Sequence, residues 1–119
     1  MKEHVNKTTN PDGSKRPTIP DTCYIGDNVV ITDNAQISGN ASIYDNAQIY
    51  GNAVISGDAL VSGDAVISDN AQISDNAQIY GNARIYGNAV ISGNAIICGN
   101  AVIFGNAQIS DNAVICSND

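Results

Sequence analysis

The chain has 119 residues, the length of one ordinary domain, and a formal net charge of −7. It contains no stretch close to the roughly 20 consecutive apolar residues that a membrane-spanning helix requires, so we expect no contact with a membrane. Residues 23–119 carry Arg84 against nine aspartates. An acidic surface of this kind argues against direct binding to the phosphates of a nucleic acid.

Residues 1–22 differ in character from the rest of the chain. They are polar, hold three prolines and contain His4, the single histidine. Since residues 1–10 lack the apolar core of a signal peptide, we expect a cytoplasmic protein. Proline-rich polar segments at a terminus either fold over the adjoining domain or extend from it. The sequence therefore predicts an N-terminal arm or cap at 1–22 and a second, repetitive region at 23–119.

A six-residue period runs through the second region without interruption. Between successive aliphatic residues stands a pair made of Gly or Asp followed by Asn or Asp, and an Ala or Val lies two residues before nearly every aliphatic position. The sixteen aliphatic positions are Ile25, Ile31, Ile37, Ile43, Ile49, Ile55, Val61, Ile67, Ile73, Ile79, Ile85, Ile91, Ile97, Ile103, Ile109 and Ile115. A fixed period of this length indicates a repeat architecture.

The spacing within one repeat predicts a coiled sheet. The Ala and the Ile lie two residues apart, so both point to the same side of an extended strand of four residues. The Gly-Asn and Asp-Asn pairs tolerate positive φ angles and predict a bend after every strand. A period of six does not follow the 3.6-residue period of an α-helix. The prediction is an all-β fold, a single-stranded parallel β-helix of about five triangular 18-residue coils with the Ile and Ala side chains inside.

The repeat resembles the hexapeptide-repeat family of left-handed parallel β-helices. The family motif places a small residue four positions after an aliphatic one, as in Ile37 with Ala41, Ile55 with Ala59 and Ile91 with Ala95. The resemblance implies a left-handed coil and, often, a trimer. It also implies acyl transfer, or in related carbonic anhydrases a zinc site. Those activities need a histidine in the coils or three zinc-ligating histidines, whereas this chain has only His4. We therefore predict no catalytic residue, no metal and no cofactor.

Outward-facing residues stack in columns, because positions separated by three repeats occupy the same place on successive coils. One column of the position after each Ile is serine throughout, whereas two others contain tyrosines. Tyrosines also recur at every second coil, and residues 38–73 align with 74–109, which suggests a duplication of two coils.

Exposed apolar side chains on two of the three faces predict an interface. The candidate residues are Tyr44, Tyr50, Tyr80, Tyr86, Arg84, Val66, Val102 and Phe104. We expect a side-by-side homo-oligomer, a dimer or a trimer. Two alternatives stay open: these residues simply suit strand surfaces, or copies associate end to end through unpaired strand edges.

The three cysteines suggest no metal site. Cys98 and Cys116 lie one coil apart in the same column and form a possible thiol pair within reach of a disulfide. For a cytoplasmic chain we predict that both thiols are reduced. Cys23 precedes the first repeat and is expected to cap it.

Composition and spacing leave three hypotheses for the function. The first is a non-catalytic scaffold or binding module that acts as a homo-oligomer and presents its outward columns to a protein partner. The second is an acidic inhibitor, viral or from a mobile element, that occupies the basic groove of a host nucleic-acid enzyme. That inhibitor requires carboxylates along one edge, whereas here they are spread over several corners. The third is a protein similar to the acyltransferases, which would lack the histidine.

Overall fold

The computed structural model describes residues 6–32 and 34–117, and it confirms the all-β parallel solenoid. Within this part of the chain sixteen short strands follow one another, separated by turns. They are β1 Tyr24–Ile25, β2 Val30–Ile31, β3 Gln36–Ile37, β4 Ser42–Ile43, β5 Gln48–Ile49, β6 Val54–Ile55, β7 Leu60–Val61, β8 Val66–Ile67, β9 Gln72–Ile73, β10 Gln78–Ile79, β11 Arg84–Ile85, β12 Val90–Ile91, β13 Ile96–Gly99, β14 Val102–Ile103, β15 Gln108–Ile109 and β16 Val114–Ser117.

The strands stack into three parallel sheets because every third strand returns to the same side of the coil. The sheets have the orders β1-β4-β7-β10-β13-β16, β2-β5-β8-β11-β14 and β3-β6-β9-β12-β15. Ile25 pairs with Ile43, and Ile67 pairs with Ile85, so three repeats complete one coil. The five-coil stack predicted from the period is therefore confirmed. The left hand of the coil stays a prediction from the family resemblance.

The strands are shorter than the sequence predicted. Fourteen of the sixteen described strands contain two residues each, and only β13 and β16 contain four. The difference arises in the turns, where the amide of Ala59 donates to the carbonyl of Ser56 at 3.4 Å, and Ala71 repeats this bond to Ser68 at 3.3 Å. The inward Ala therefore belongs to the turn and not to the strand. As a result, fewer residues of each repeat take part in the β-sheet.

The interior is a column of aliphatic side chains. Ile43, Ile67 and Ile91 have no exposed surface, and neither do Ala59 and Ala77. Isoleucine alternates with the much smaller alanine along each inward line, and this combination suits the close packing expected inside a narrow triangular core. The sequence-based assignment of the inward positions is confirmed.

Residues 6–22 lie across the open end of the first coil. The side-chain amide of Asn6 accepts from the amide of Ile25 and donates to the carbonyl of Cys23, both at 2.9 Å. Asn10 does the same for both backbone groups of Ile31, at 2.8 and 2.9 Å. Each carboxamide takes the place that a peptide group of a preceding coil would occupy. Backbone groups at this edge of the solenoid are thereby satisfied.

Arg16 completes the cover over the first coil. Its side chain is buried, and it donates to the carbonyls of Val29 at 2.7 Å and Gly26 at 3.1 Å. Its Nε also donates to Asn10 at 3.1 Å. Burial lowers the pKa of the Arg16 guanidinium from its ordinary value. The nearby carboxylate of Asp27 opposes this effect on the pKa.

The opposite end of the solenoid is less well covered. Ala107, Ile109, Ala113 and Ile115 occupy inward positions but are half-buried, whereas their counterparts in the central coils are fully buried. A disulfide joins Cys98 to Cys116 across the last pair of strands, with their Cα atoms 4.5 Å apart. The prediction of reduced thiols is therefore wrong for this structure. Cysteines on adjacent coils lie within disulfide reach, because stacked strands are close neighbours.

Candidate interaction surface

The outward side of the β2-β5-β8-β11-β14 sheet carries most of the residues predicted as an interface. We call this side the aromatic face. It consists of Val30, Gln48, Val66, Arg84 and Val102 in one column and Thr32, Tyr50, Ser68, Tyr86 and Phe104 in the other. Each side chain stands outward because its neighbour in the strand is a buried isoleucine. The rigid coil thus fixes the spacing of both columns.

Exposure on the aromatic face increases toward the last coils. Tyr86 is 37% exposed, Val102 47% and Phe104 59%, whereas Tyr50 and Val66 are half-buried. The rings of Tyr86 and Phe104 stack with their centroids 5.5 Å apart and their planes inclined by 12°. These neighbours form a contiguous apolar and aromatic patch. Patches of this kind on soluble proteins commonly mark interaction sites.

Polar side chains border the patch. The hydroxyl of Tyr50 donates to Gln48 at 2.6 Å, which fixes the orientation of both side chains. Arg84 pairs along the ladder with Val66 on one side and Val102 on the other. Together with Asn82, Asn100 and Val102 it lines a shallow groove of about 360 Å³. An arginine beside aromatic rings is a composition typical of protein interfaces.

The charge of the solenoid is divided along its axis. Residues 23–75 contain seven aspartates and no lysine or arginine, whereas Arg84 is the single charged residue between 76 and 110. The exposed aromatic patch therefore lies in the half of the solenoid that is almost free of carboxylates. The solenoid thus has an acidic half and a half that is nearly free of charge.

Not every predicted interface residue lies on the aromatic face. Tyr44 and Tyr80 project from the neighbouring β1-β4-β7-β10-β13-β16 sheet, where Tyr80 is 39% exposed. The prediction also missed Tyr24, which is 44% exposed and meets the Tyr44 ring edge-on at 6.4 Å. Tyr24 begins one of the outward columns, so the column pattern contained the signal. Val114, 63% exposed near the end of the same sheet, was missed as well.

The carboxylates occupy all three corners of the coil. Asp45, Asp69 and Asp75 follow strands of three different sheets, and each accepts from the backbone amide of the glycine one coil further, Gly63, Gly87 or Gly93, at 3.0–3.1 Å. As a set the carboxylates are distributed around the solenoid, although Asp27, Asp45 and Asp64 lie at the same corner of three successive coils. Asn side chains form hydrogen bonds with one another along the same corners; for example, Asn70 donates to Asn88 at 3.3 Å. Both residue types thus stabilise the stack.

Among the described residues, few side chains outside the aromatic face could react or bind a metal ion. The thiol of Cys23 is buried below the cap, and burial raises its pKa. In the ranges 6–32 and 34–117 no group of three or more His, Cys, Asp or Glu side chains is arranged to hold a metal ion. The same part of the chain includes no helix able to cross a membrane. His4 lies outside the described residues.

Comparison with known proteins supports the architecture. The family model described as the YdcK β-solenoid repeat matches residues 47–62, 55–69, 77–93 and 83–98. Together these stretches cover less than half of the chain, and the first and last of them begin two coils apart. No curated protein and no solved structure matched the chain. The repeat match and the stacked parallel coils identify this chain as a β-solenoid repeat protein.

Proposed function

We propose that this protein is a non-catalytic interaction module, a rigid β-solenoid that acts as a homo-oligomer through its aromatic face. The observation that carries the proposal is the contiguous exposure of Arg84, Tyr86, Val102 and Phe104 on one flat sheet. Stacked aromatic rings beside apolar side chains lose unfavourable contact with water when a second surface covers them. The proposal assigns no reaction and no cofactor to the protein.

The acidic-inhibitor hypothesis receives less support from the carboxylates. A protein that imitates a nucleic acid needs negative charges in a line that fits a basic groove. Here Asp45, Asp69 and Asp75 lie at different corners, and their oxygens accept hydrogen bonds from the next coil. The corner positions therefore favour a role in the stack over a role in mimicry. The acyltransferase-like hypothesis and the cytoplasmic location stay predictions.

Native mass spectrometry and sedimentation velocity of the purified chain test the proposal. We expect a dimer or trimer at tens of micromolar, and a shift toward monomer in the Tyr86→Ser/Phe104→Ser variant. The control is Val54→Ser/Val90→Ser, which removes two half-buried apolar side chains from the β3-β6-β9-β12-β15 sheet. A wild-type chain that stays monomeric at hundreds of micromolar would refute the proposal. Equal loss of assembly in both variants would show that the aromatic face is not the interface.

A further inference from the structure

The side chains of the aromatic face repeat almost symmetrically about its middle strand, β8. From the first coil to the last, one column reads Val30, Gln48, Val66, Arg84 and Val102, and the other reads Thr32, Tyr50, Ser68, Tyr86 and Phe104. Valine occupies the first, third and fifth levels of the first column, with polar residues between. In the second column, two tyrosines flank a central serine.

We propose that two copies of this chain pack face to face through their aromatic faces, with their solenoid axes antiparallel. The two-fold axis is parallel to β8 and lies midway between the β8 strands of the two copies. The proposal rests on the proposed function and deepens it by naming the partner and the geometry. A two-fold interface requires a surface that complements itself. In this arrangement each column meets the same column of the partner with its levels reversed.

The reversal brings compatible side chains together in both columns. The outer valines Val30 and Val102 of the two copies meet, and Val66 meets its own counterpart. Tyr50 meets Tyr86, and the large Phe104 ring lies opposite the small Thr32. At the centre Ser68 faces Ser68, which leaves room for the tyrosine rings on either side. Large groups therefore lie opposite small or planar ones, as close packing requires.

Charge selects the antiparallel orientation over the parallel one. In a parallel pair the corners beside the face, which carry Asp27, Asp45, Asp64 and Asp69, would lie close to the acidic corners of the partner, and like charges at such distances repel. In the antiparallel pair the acidic half of each copy lies beside the half that carries Arg84. Arg84 then stands opposite Gln48, whose strand follows the corner that bears Asp45. The exposed Asp45 carboxylate is the group that we expect to receive the Arg84 guanidinium.

The available area sets the expected affinity. Five levels separated by about 4.8 Å give the face a length of about 24 Å. Its width is less than the 22 Å shortest extent of the molecule. A pair therefore buries at most about 1,000 Å² in total, the lower end of the range for specific interfaces. We accordingly expect a reversible dimer that dissociates at micromolar or lower concentration.

Complementary charge variants test the orientation. Arg84→Asp alone places Asp opposite Asp, and Asp45→Arg alone places Arg opposite Arg, so each variant should be at least tenfold weaker in self-association. An equimolar mixture should form a 1:1 heterodimer, visible by native mass spectrometry after one protein is isotope-labelled. A contact between Arg84 and Asp45 of the same chain could not produce this heterodimer. A mixture that stays monomeric would overturn the antiparallel geometry.

Chemical cross-linking at the two-fold axis provides the second test. We expect Ser68→Cys to give covalent dimers with a short bis-maleimide, since faces packed at about 10 Å bring the two thiols within its reach. Ser74→Cys is the matched control, half-buried at the same strand position in the neighbouring sheet. Native thiols do not interfere, because Cys23 is buried and Cys98 is bonded to Cys116.

The two tests separate the geometry from the proposed function. An oligomeric wild type with equal cross-linking of Ser68→Cys and Ser74→Cys would keep the interaction module but overturn the antiparallel dimer. A wild type that is monomeric at all concentrations would refute both. Circular dichroism of every variant establishes that the β-solenoid has formed, so that a loss of association is not caused by unfolding.

Discussion

At the scale of single residues, the corners decide which sequences can stack. Gly or Asp stands there in a left-handed conformation, with φ of 70° at Gly81 and 60° at Asp69. Each of Asp45, Asp69 and Asp75 lies next to a glycine of the following coil, whose amide it binds. The carboxylate compensates by a hydrogen bond for the cost of a side chain in this conformation. The period predicted the corners, but it did not predict this pairing of acid and glycine.

Alanine substitutions at two corner glycines separate crowding from backbone strain. A Cβ at Gly81 would lie 2.8 Å from the amide nitrogen of Gly99, whereas a Cβ at Gly105 meets nothing within 4 Å, and both residues have similar positive φ. We expect Gly105→Ala to lower the free energy of unfolding by about 1–2 kcal/mol. Gly81→Ala should cost about 1–3 kcal/mol more because the backbone of the next coil must move. Urea denaturation measures both, and equal losses would contradict the packing argument.

At the scale of the elements, the sequence predicts the strands well and the cap poorly. The buried isoleucines recur every six residues, so periodicity alone located the repeats and the three sheets. Asn6, Asn10 and Arg16 belong to no repeat, and their contacts with the first coil have no periodic signal. Polar residues in a proline-containing segment are compatible with many conformations. Only the three-dimensional structure shows that their side chains imitate a missing strand.

Removal of the buried arginine tests the contribution of the cap. Arg16→Met would leave the carbonyl of Val29 without its donor in a buried site, and it would remove one of the two donors to the carbonyl of Gly26. We expect a loss of about 2–4 kcal/mol in the free energy of unfolding, since an unsatisfied buried acceptor costs about 1–3 kcal/mol. The control is Lys15→Met, at an exposed neighbouring position, which should change stability by less than about 0.5 kcal/mol. Chemical denaturation of the two variants compares them directly, and similar losses would contradict this role for Arg16.

Removal of the disulfide by substitution tests how much it contributes to the order of the last coil. Cys98 and Cys116 close a loop of one coil, and such a cross-link contributes about 3 kcal/mol when it restricts the unfolded segment. We expect Cys98→Ser/Cys116→Ser to increase amide hydrogen exchange in residues 100–117 and to leave residues 60–80 almost unchanged. Hydrogen exchange with mass spectrometry resolves these segments. Unchanged protection in 100–117 would show that stacking alone holds the last coil.

At the scale of the whole molecule, stability is a sum over neighbouring coils. Each coil contacts only the coil before and the coil after it, as in other repeat proteins. The central coils therefore contribute most, while the last coil contributes less because its inward residues are half-buried. The aromatic face depends on this stack, since five coils in register are needed to align its two columns. The sequence predicted most of the residues on that face because the period determines which side chains point outward, but a period carries no information about a partner.

Two isoleucine substitutions compare the middle of the stack with its end. Ile67 has no exposed surface, whereas Ile115 is half-buried. We expect Ile67→Ala to cost about 3–4 kcal/mol, within the range for a fully buried aliphatic side chain. Ile115→Ala should cost less than about 1.5 kcal/mol because solvent already reaches the site. Thermal and urea denaturation provide the values. Equal costs would mean that the end of the solenoid is as tightly packed as its centre.

The fixed length of one coil, three repeats, also limits which insertions and deletions the sequence can accept. A deletion of a single repeat would leave every isoleucine inside, but it would rotate all later side chains onto the adjacent side of the prism. A deletion between Val66 and Arg84, for example, would separate these two ladder neighbours, while Arg84 and Val102 would stay paired. Only insertions or deletions of whole coils, three repeats at a time, conserve both the interior and the surface pattern. The interior therefore tolerates changes of one repeat, whereas the surface pattern tolerates only changes of whole coils.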